Sequence, residues 1–269
     1  MSLARVLDHK SGVLLPLTEA PEALQHAQET SPSLLNLYNE MFESVRANNE
    51  ALIDECYRLR YKVYCVEHPF EDPNPELGEY ERDEYDGHSV HALLKHRKSG
   101  EHIGSVRLII DQKDTPQRIP AIRLAEEHGI VLPRHLYNQP CAEASRFCIS
   151  KEFRRRITDS THASSYTSHE LVAMRNRVIP FMALGLMKMV FAMCKEHSIR
   201  QCCAVMEPSL LRLLDKLGIR FEPVGGLIEH HGLRQICFVT NCNLYETLLR
   251  ERPDVLDMMT EGGRSPLIY

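Results

Sequence analysis

The stretch that most restricts this chain is Ala142-Glu143-Ala144-Ser145-Arg146-Phe147-Cys148-Ile149. It reads as a buried strand, yet it carries a carboxylate and a guanidinium three residues apart. In a flat strand Glu143 and Arg146 project to opposite faces. One bulge between them turns both to the same face, and bulges beside active sites re-aim side chains and release backbone N–H groups. Burying either charge without a partner costs several kcal/mol or more. The two charges therefore either form a structural ion pair at a strand end or bind something, and this stretch alone leaves both open.

The 269 residues suit one large domain with flanking segments: an irregular N-terminal arm over 1–32, a main domain over 33–242 and a helical C-terminal tail over 243–269. A formal charge of −5 gives no global pull toward nucleic acid or an anionic membrane. Charge is nonetheless uneven. Glu71 to Asp86 holds eight carboxylates against one arginine, whereas Lys151 to Arg156 carries four basic residues against one glutamate. The nine cysteines include no C-x-x-C, and the adjacent Cys202 and Cys203 make a poor disulfide. Met1 to Ala20 lacks a basic segment followed by a long apolar one. These features lead to the expectation of a reduced, cytoplasmic protein with no integral membrane segment. Val178 to Cys194, interrupted by Lys188, reads as a buried helix too short to span a bilayer comfortably.

In chain order, Leu34 to Met41 allows a helical turn and Phe42 to Ala47 a first strand. Asn48 and Asn49 offer a cap for a helix over Glu50 to Glu67, with Leu52, Cys56, Leu59, Val63 and Tyr64 at helical spacing. Pro69 to Gly87 is a loop. Ser89 to His96 and Ile103 to Asp111 form a hairpin, Ile122 to His128 a short helix, and Cys141 to Ser150 the central strand. Arg156 to Met174 carries little pattern and reads as a flap or excursion. Ile179 to His197 is a helix with Pro180 in its first turn. A strand over Arg200 to Met206, a helix over Pro208 to Leu217, and strands over Ile219 to Val224 and Arg234 to Thr240, joined through Gly225-Gly226, follow. Tyr245 to Arg250 and Val255 to Met259 are helical pieces. This order predicts a mixed α/β sheet with helices on both faces.

Four short motifs occur in order: R-x-x-V-Y at Arg60 to Tyr64, E-x-D-x-Y-D at Glu81 to Asp86, G-S-x-R-L at Gly104 to Leu108, and E-x-S-R-F at Glu143 to Phe147. With them the chain resembles the acyl-homoserine-lactone (autoinducer) synthases and N-acyl amino acid synthases, variants of the GNAT N-acyltransferase fold, over roughly residues 40 to 240. It looks most like the acyltransferases associated with PEP-CTERM/exosortase systems. The resemblance implies a GNAT-like fold. It implies that Arg60 and Tyr64 close the acceptor side, and that Asp83, Asp86, Arg107, Glu143 and Arg146 form a charged cluster at the cleft mouth. Autoinducer synthases usually carry a tryptophan shortly after the first motif, near the S-adenosylmethionine site. This chain has none, and Phe70 stands about there.

An N-acyltransferase must present an unprotonated amine to a thioester carbonyl, and a free α-amino group has a pKa of roughly 7.7–8.0, so a modest base suffices. Glu143 is the candidate base, acting through a water, provided burial raises its pKa. Asp83 and Asp86 would orient a cationic amine. Arg146 and Arg107 would hold a substrate carboxylate. Backbone N–H groups freed by a bulge would receive the oxyanion. Ser145 belongs to the catalytic stretch, but it is not in G-x-S-x-G and is not read as a nucleophile.

The donor reading starts from Lys151, Arg154, Arg155 and Arg156. CoA-dependent GNAT enzymes follow the central strand with a glycine-rich turn that cradles pyrophosphate, and this turn has no glycine. A basic patch of this kind suits acyl carrier protein, bearing an acyl-phosphopantetheine thioester, over acyl-CoA; a solvated basic turn is the other reading. No aromatic residues interleave with the arginines, which argues against nucleic acid. Met182, Met187, Met189 and Met193 suit either a packed core or part of an acyl tunnel. The fourteen histidines show no metal-ligand spacing, and no permanently bound cofactor or metal is expected. The function expected is transfer of a fatty acyl group from carrier protein to a small amine, an amino acid above all. The alternatives are an acyl-homoserine-lactone synthase using S-adenosylmethionine and a non-catalytic GNAT-fold binding module.

Overall fold

The computed structural model describes residues 5–7, 14–16, 33–112, 118–158 and 168–264. Two short antiparallel strands, β1 (Arg5–Leu7) and β2 (Leu14–Pro16), pair within the segment expected to be irregular. The rest of that arm lies outside the described residues.

Polar caps start the first helices. The Ser33 hydroxyl accepts from the Asn36 amide at 3.1 Å and opens α1 (Leu34–Met41), which runs directly into β3 (Phe42–Ala47). The Asn49 side chain accepts from the Leu52 amide at 3.0 Å and opens α2 (Glu50–Tyr61), as the tandem asparagines predict. This helix widens into a π-helical turn over Lys62–Glu67, a geometry concentrated at functional sites. The hairpin β4 (Ser89–His96) and β5 (His102–Ile110) follows the acidic loop. Then come α3 (Pro120–Glu127), α4 (Arg134–Asn138), the central strand β6 (Cys141–Ile149), α5 (Lys151–Thr158) and the long α6 (Ser168–Glu196). The remaining elements are β7 (Gln201–Met206), α7 (Pro208–Lys216), β8 (Glu222–Glu229), β9 (Leu233–Thr240), α8 (Asn241–Glu251) and α9 (Pro253–Met259).

Seven strands form one mixed sheet in the order β3-β4-β5-β6-β7-β9-β8, antiparallel except at β6–β7. α6 covers one face. Phe181, Met182, Leu184, Leu186, Val190 and Phe191 are buried there with Ala92, Leu94, Val106, Leu108, Ala142 and Ala144 of the strands. Each large apolar side chain so buried contributes roughly 1.5–3 kcal/mol. α2 and its π turn pack on the opposite face through Cys56, Leu59 and Val63, with α3 farther along the same face. Val255, Leu256, Met258 and Met259 of α9 join the α6 core, so the C-terminal helices pack with the main domain.

The structure corrects three local expectations. α6 begins at Ser168, which puts Pro180 inside the helix, not in its first turn. A proline there costs about 3 kcal/mol, which the burial of the α6 face outweighs. Gly225 and Gly226 do not join two strands. They lie within β8, where the pairing with β9 slips between Pro223 and Leu227, and the turn falls at His230–Gly232. Gly225 has φ +66°, and a Cβ there would meet Ile130 at 2.8 Å, so the glycine serves a bulge and a close approach. Finally, the segment read as a flap is helical at both ends, over Lys151–Thr158 and from Ser168. Its middle, residues 159–167, lies outside the described residues.

Candidate active site

The bulge expected in the central strand is present. Arg107 pairs with Ser145 and Ser105 with Cys148, so Val106 alone on β5 opposes both Arg146 and Phe147 on β6. Arg146 takes φ +48°, a left-handed conformation that costs an ordinary residue roughly 1–2 kcal/mol. The extra residue has two effects. It puts Arg146 on the Glu143 side of the sheet, and it turns Phe147 and Ile149 toward the α6 core. On the other edge, β6 pairs with β7 only from Cys141–Gln201 to Ala144–Ala204. Beyond Ala144 the two parallel strands part. A cavity of about 700 Å³ opens between them, lined by Glu143 to Ile149 on one side and Val205 to Glu207 on the other.

The acidic loop folds inward over three arginines. The Arg60 guanidinium, 1% exposed, donates to both carboxylate oxygens of Asp86 (2.7 and 3.1 Å) and to Glu81. Arg107, equally buried, donates to the Ser145 hydroxyl at 2.9 Å, to Asp86 at 3.0 Å and to Asp83. Arg146 pairs with Glu81 at 2.8 Å, Glu71 at 2.9 Å and Asp83 at 3.2 Å, and lies over the Tyr64 ring. Burial by itself would raise the acids; the surrounding guanidinium groups outweigh it, holding Glu81 below its ordinary range and Asp86 far below.

Glu143 faces a different balance. Burial is the dominant influence and pushes its pKa up to about 7, against the Ala121 amide, Arg107, Arg146 and Arg123. That amide, in the first turn of α3, donates to Glu143 Oε2 at 2.6 Å. The helix start thus points its dipole at the carboxylate. Glu143 is therefore ionisable near neutrality and lines the cavity, which is what a general base for an amine requires.

Of the residues singled out in sequence, Tyr64, Phe70, Asp83, Arg107, Glu143, Ser145, Arg146 and Arg154 line the cavity. Arg60 and Asp86 stand behind its wall as the buried brace of the cluster. Lys151, Arg155 and Arg156 lie on the exposed side of α5, with Arg156 bonded to Glu101 at 2.8 Å. Of the four α6 methionines singled out in sequence, Met187 reaches the cavity beside Ile179, Ala183, Leu210 and Leu213; Met182, Met189 and Met193 are core. Among the described residues no group of His, Cys, Asp and Glu is placed to hold a metal ion.

Three features were not read from the sequence. One is the Ala121 amide. Another is Glu67, in the π turn. Its carboxylate accepts from the Lys151 amide (2.7 Å), the Glu152 amide (3.2 Å) and the Ser150 hydroxyl (3.1 Å), and so fills the N-terminus of α5. The third is the β8–β9 turn, which brings His230, His231 and Arg234 to the cavity.

Residues 59–163 match the acetyltransferase (GNAT) domain family. With the splayed parallel pair, the bulged central strand and the carboxylate at the cleft, this match defines a GNAT acyltransferase domain. Solved structures agree at the level of fold. TofI, in a ternary complex with an inhibitor and MTA, is 18% identical and matches 78% of this chain and 95% of its own, with a TM-score of 0.52. The AHL synthase LasI is 17% identical over 77% of this chain and 94% of its own, TM-score 0.50. MesI, a CoA-dependent acyl-homoserine lactone synthase, is 18% identical over 82% and 95%, TM-score 0.50. No curated protein matches the chain.

Proposed function

We propose that this protein is a cytoplasmic N-acyltransferase that moves a fatty acyl group from a phosphopantetheine thioester on acyl carrier protein to the amine of a small molecule, an amino acid above all. The observation that carries the reading is Glu143, with its pKa near 7, at one wall of a cavity that joins an acidic rim to an apolar slot. The rim (Glu71, Asp83) attracts an ammonium group, and Glu143 takes its proton through a water. The amine attacks the thioester carbonyl. The oxyanion is received by backbone N–H groups of the stretch beyond Ala144, where β7 no longer pairs. The C–S bond breaks, the new amide nitrogen gives up its second proton to solvent through the same water, and the leaving thiolate takes up the proton held by Glu143, so that one proton is released overall. The acyl chain lies along Ile179, Ala183, Met187, Leu210 and Leu213.

The carrier-protein donor is supported by two features of α5. Its N-terminus, an anion site in many proteins, is already filled by the Glu67 carboxylate. Its outer side presents Lys151, Arg155 and Arg156 to an acidic partner. Acyl-CoA is the competing donor, since MesI is a CoA-dependent synthase. A cytoplasmic setting is supported by nine free cysteines. Among the described residues one helical stretch, Val178–Glu196, is long and apolar enough by length and composition to cross a membrane, and it is mostly buried in the fold.

A second reading, synthesis of an acyl-homoserine lactone from S-adenosylmethionine, is favoured by the fold shared with TofI and LasI. Against it stands Phe70, 41% exposed, where the motif leads one to expect tryptophan. A binding module is disfavoured because no binding role asks for a carboxylate poised near neutrality. Mass spectrometry of lipid extracts from a host expressing wild type or Glu143→Gln tests all three. An N-acyl amino acid present only with wild type supports the first reading. An acyl-homoserine lactone supports the second, and equal products from both proteins remove Glu143 as the base.

A further inference from the structure

The arginines of the four motifs are a poor place for a substrate carboxylate. Arg60, Arg107 and Arg146 are three cations enclosed by Glu71, Glu81, Asp83 and Asp86, four carboxylates at hydrogen-bond or ion-pair distance. An incoming carboxylate would have to displace one of the protein's own and would meet net negative charge. That corner suits an ammonium group.

A less engaged cation, Arg234, stands instead at the β8–β9 turn. Arg234, the second residue of β9, lines the cavity with a side chain 15% exposed. One of its terminal nitrogens donates to the Leu233 carbonyl at 3.1 Å, and the other stands 3.4 Å from Glu207, a longer contact than any made by the three cluster arginines. Its guanidinium lies over the Phe70 ring, 5.8 Å from the centroid. His230 and His231 line the same end, their ring centroids 4.7 Å apart. His231 is held at φ +51° and Gly232 at φ +92°, with the Gly232 amide tied to Glu229 at 3.0 Å. A non-glycine residue in this conformation carries strain of a kind that collects at ligand sites. The His230 imidazole is held below its ordinary pKa, first by burial and then by the charges of His231, Arg234, Arg123 and Arg146. Arg123 and Arg146 also act on Glu143. Arg234, His230, His231 and Glu143 line one cavity, so a molecule with its amine at Glu143 faces this corner within it.

We infer that the carboxylate of the acceptor is bound at this corner, by the Arg234 guanidinium with His230 and His231 beside it, and not by Arg107 or Arg146. The inference rests on the acyltransferase reading and makes it narrower: the acceptor is an amino acid, its ammonium read by the acidic rim and its carboxylate by the β8–β9 turn. Arg234 is then a specificity residue that Glu143 does not replace.

The test uses product-like probes, so that binding is measured without turnover. Calorimetry compares N-dodecanoylglycine with N-methyldodecanamide, which differ only by the carboxylate, on wild type, Arg234→Gln and Arg234→Lys. Wild type is expected to prefer the acylglycine by about tenfold or more, the worth of one charged hydrogen bond. Arg234→Gln is expected to abolish that preference while leaving amide affinity unchanged, and Arg234→Lys to restore part of it. Equal loss for both probes, or a preference that survives Arg234→Gln, overturns the inference and leaves the acyltransferase reading intact. Failure of wild type to bind either probe counts against the acyltransferase reading itself, and with it the inference.

Discussion

Glu143 on the central strand accepts a hydrogen bond from the Ala121 amide, 2.6 Å away in the first turn of α3. This cavity-lining carboxylate is therefore held by the start of a helix and not by a neighbouring cation. That arrangement opposes burial only in part, which is why the group titrates near neutrality while Asp86, clasped by two arginines, stays ionised far below it.

A pH–rate profile should reflect this. With Glu143 as base, kcat/KM is expected to rise as pH increases through about 7, the pKa to which burial pushes the group. Glu143→Gln should lose about 100-fold or more in rate, the usual worth of a positioned base, and should lose that limb of the profile. A variant that retains the same limb assigns it to another group, the substrate amine first of all.

The same group predicts an unusual stability profile. Its folded pKa lies above its unfolded value, so the folded state binds the proton more tightly, and stability falls as pH rises from about 4.5 toward 7. The shift corresponds to about 3 kcal/mol. His91 acts in the opposite sense: burial lowers its pKa to about 4, so stability rises with pH up to the unfolded value of 6.5. The two oppose each other in wild type. Glu143→Gln removes one, and its denaturant stability should gain on wild type between pH 4.5 and pH 7.5. Parallel curves for the two proteins would mean that Glu143 is ionised throughout.

The brace behind the cavity should behave as structure. Asp86 is bound by Arg60 and Arg107, both 1% exposed, and breaking a buried pair from one side costs about 3–5 kcal/mol. Asp86→Asn should lower stability by that order in urea unfolding, with Arg60→Met similar. Arg123→Gln, at a half-exposed arginine with only long contacts to Glu84 and Glu127, should change stability by less than about 1 kcal/mol. Equal small losses at both places would mean that the cluster is solvated and does not brace the sheet.

Much of this architecture was legible in the residues, and the reason differs from part to part. Strand and helix periodicity gave β3 to its ends and β6 to within a residue, because a half-buried pleat and an amphipathic helix each leave a local signature. The bulge followed from one local conflict, Glu143 and Arg146 at opposite parity in a buried strand, which only an inserted residue resolves. The acidic loop was harder. Eight carboxylates between Glu71 and Asp86 look solvated, and nothing in their spacing says that Glu81 and Asp86 turn inward to Arg60. Resemblance, not periodicity, singled those positions out. The Ala121 amide and the Glu67 plug left no trace at all, since a backbone donor has no letter of its own and Glu67 meets Lys151 only through the fold. Pro180 and Gly225-Gly226 were given their usual local meanings, which the packing of α6 and the Ile130 contact override.

The exposed side of α5 bears on the identity of the donor. Lys151 and Arg155 project outward, while Arg154 turns to the cavity and Arg156 is tied to Glu101. A carrier protein that docks here would meet Lys151 and Arg155 first. Replacing both by alanine should weaken its association, more at low salt than at 0.5 M, since exposed charges separated by more than a Debye length of about 8–10 Å are largely screened. Association rates measured by surface plasmon resonance at two ionic strengths check this, and affinities equal to wild type at low salt would remove the patch from the donor site. Glu67→Ala is the complementary change. Ser150 still caps the helix through the Phe153 amide at 3.3 Å, and the change uncovers the Lys151 and Glu152 amides to an incoming phosphate. Turnover with acyl-CoA should then rise relative to turnover with acyl carrier protein. An unchanged ratio between the two donors would mean that the carboxylate at that helix start is a cap and nothing more.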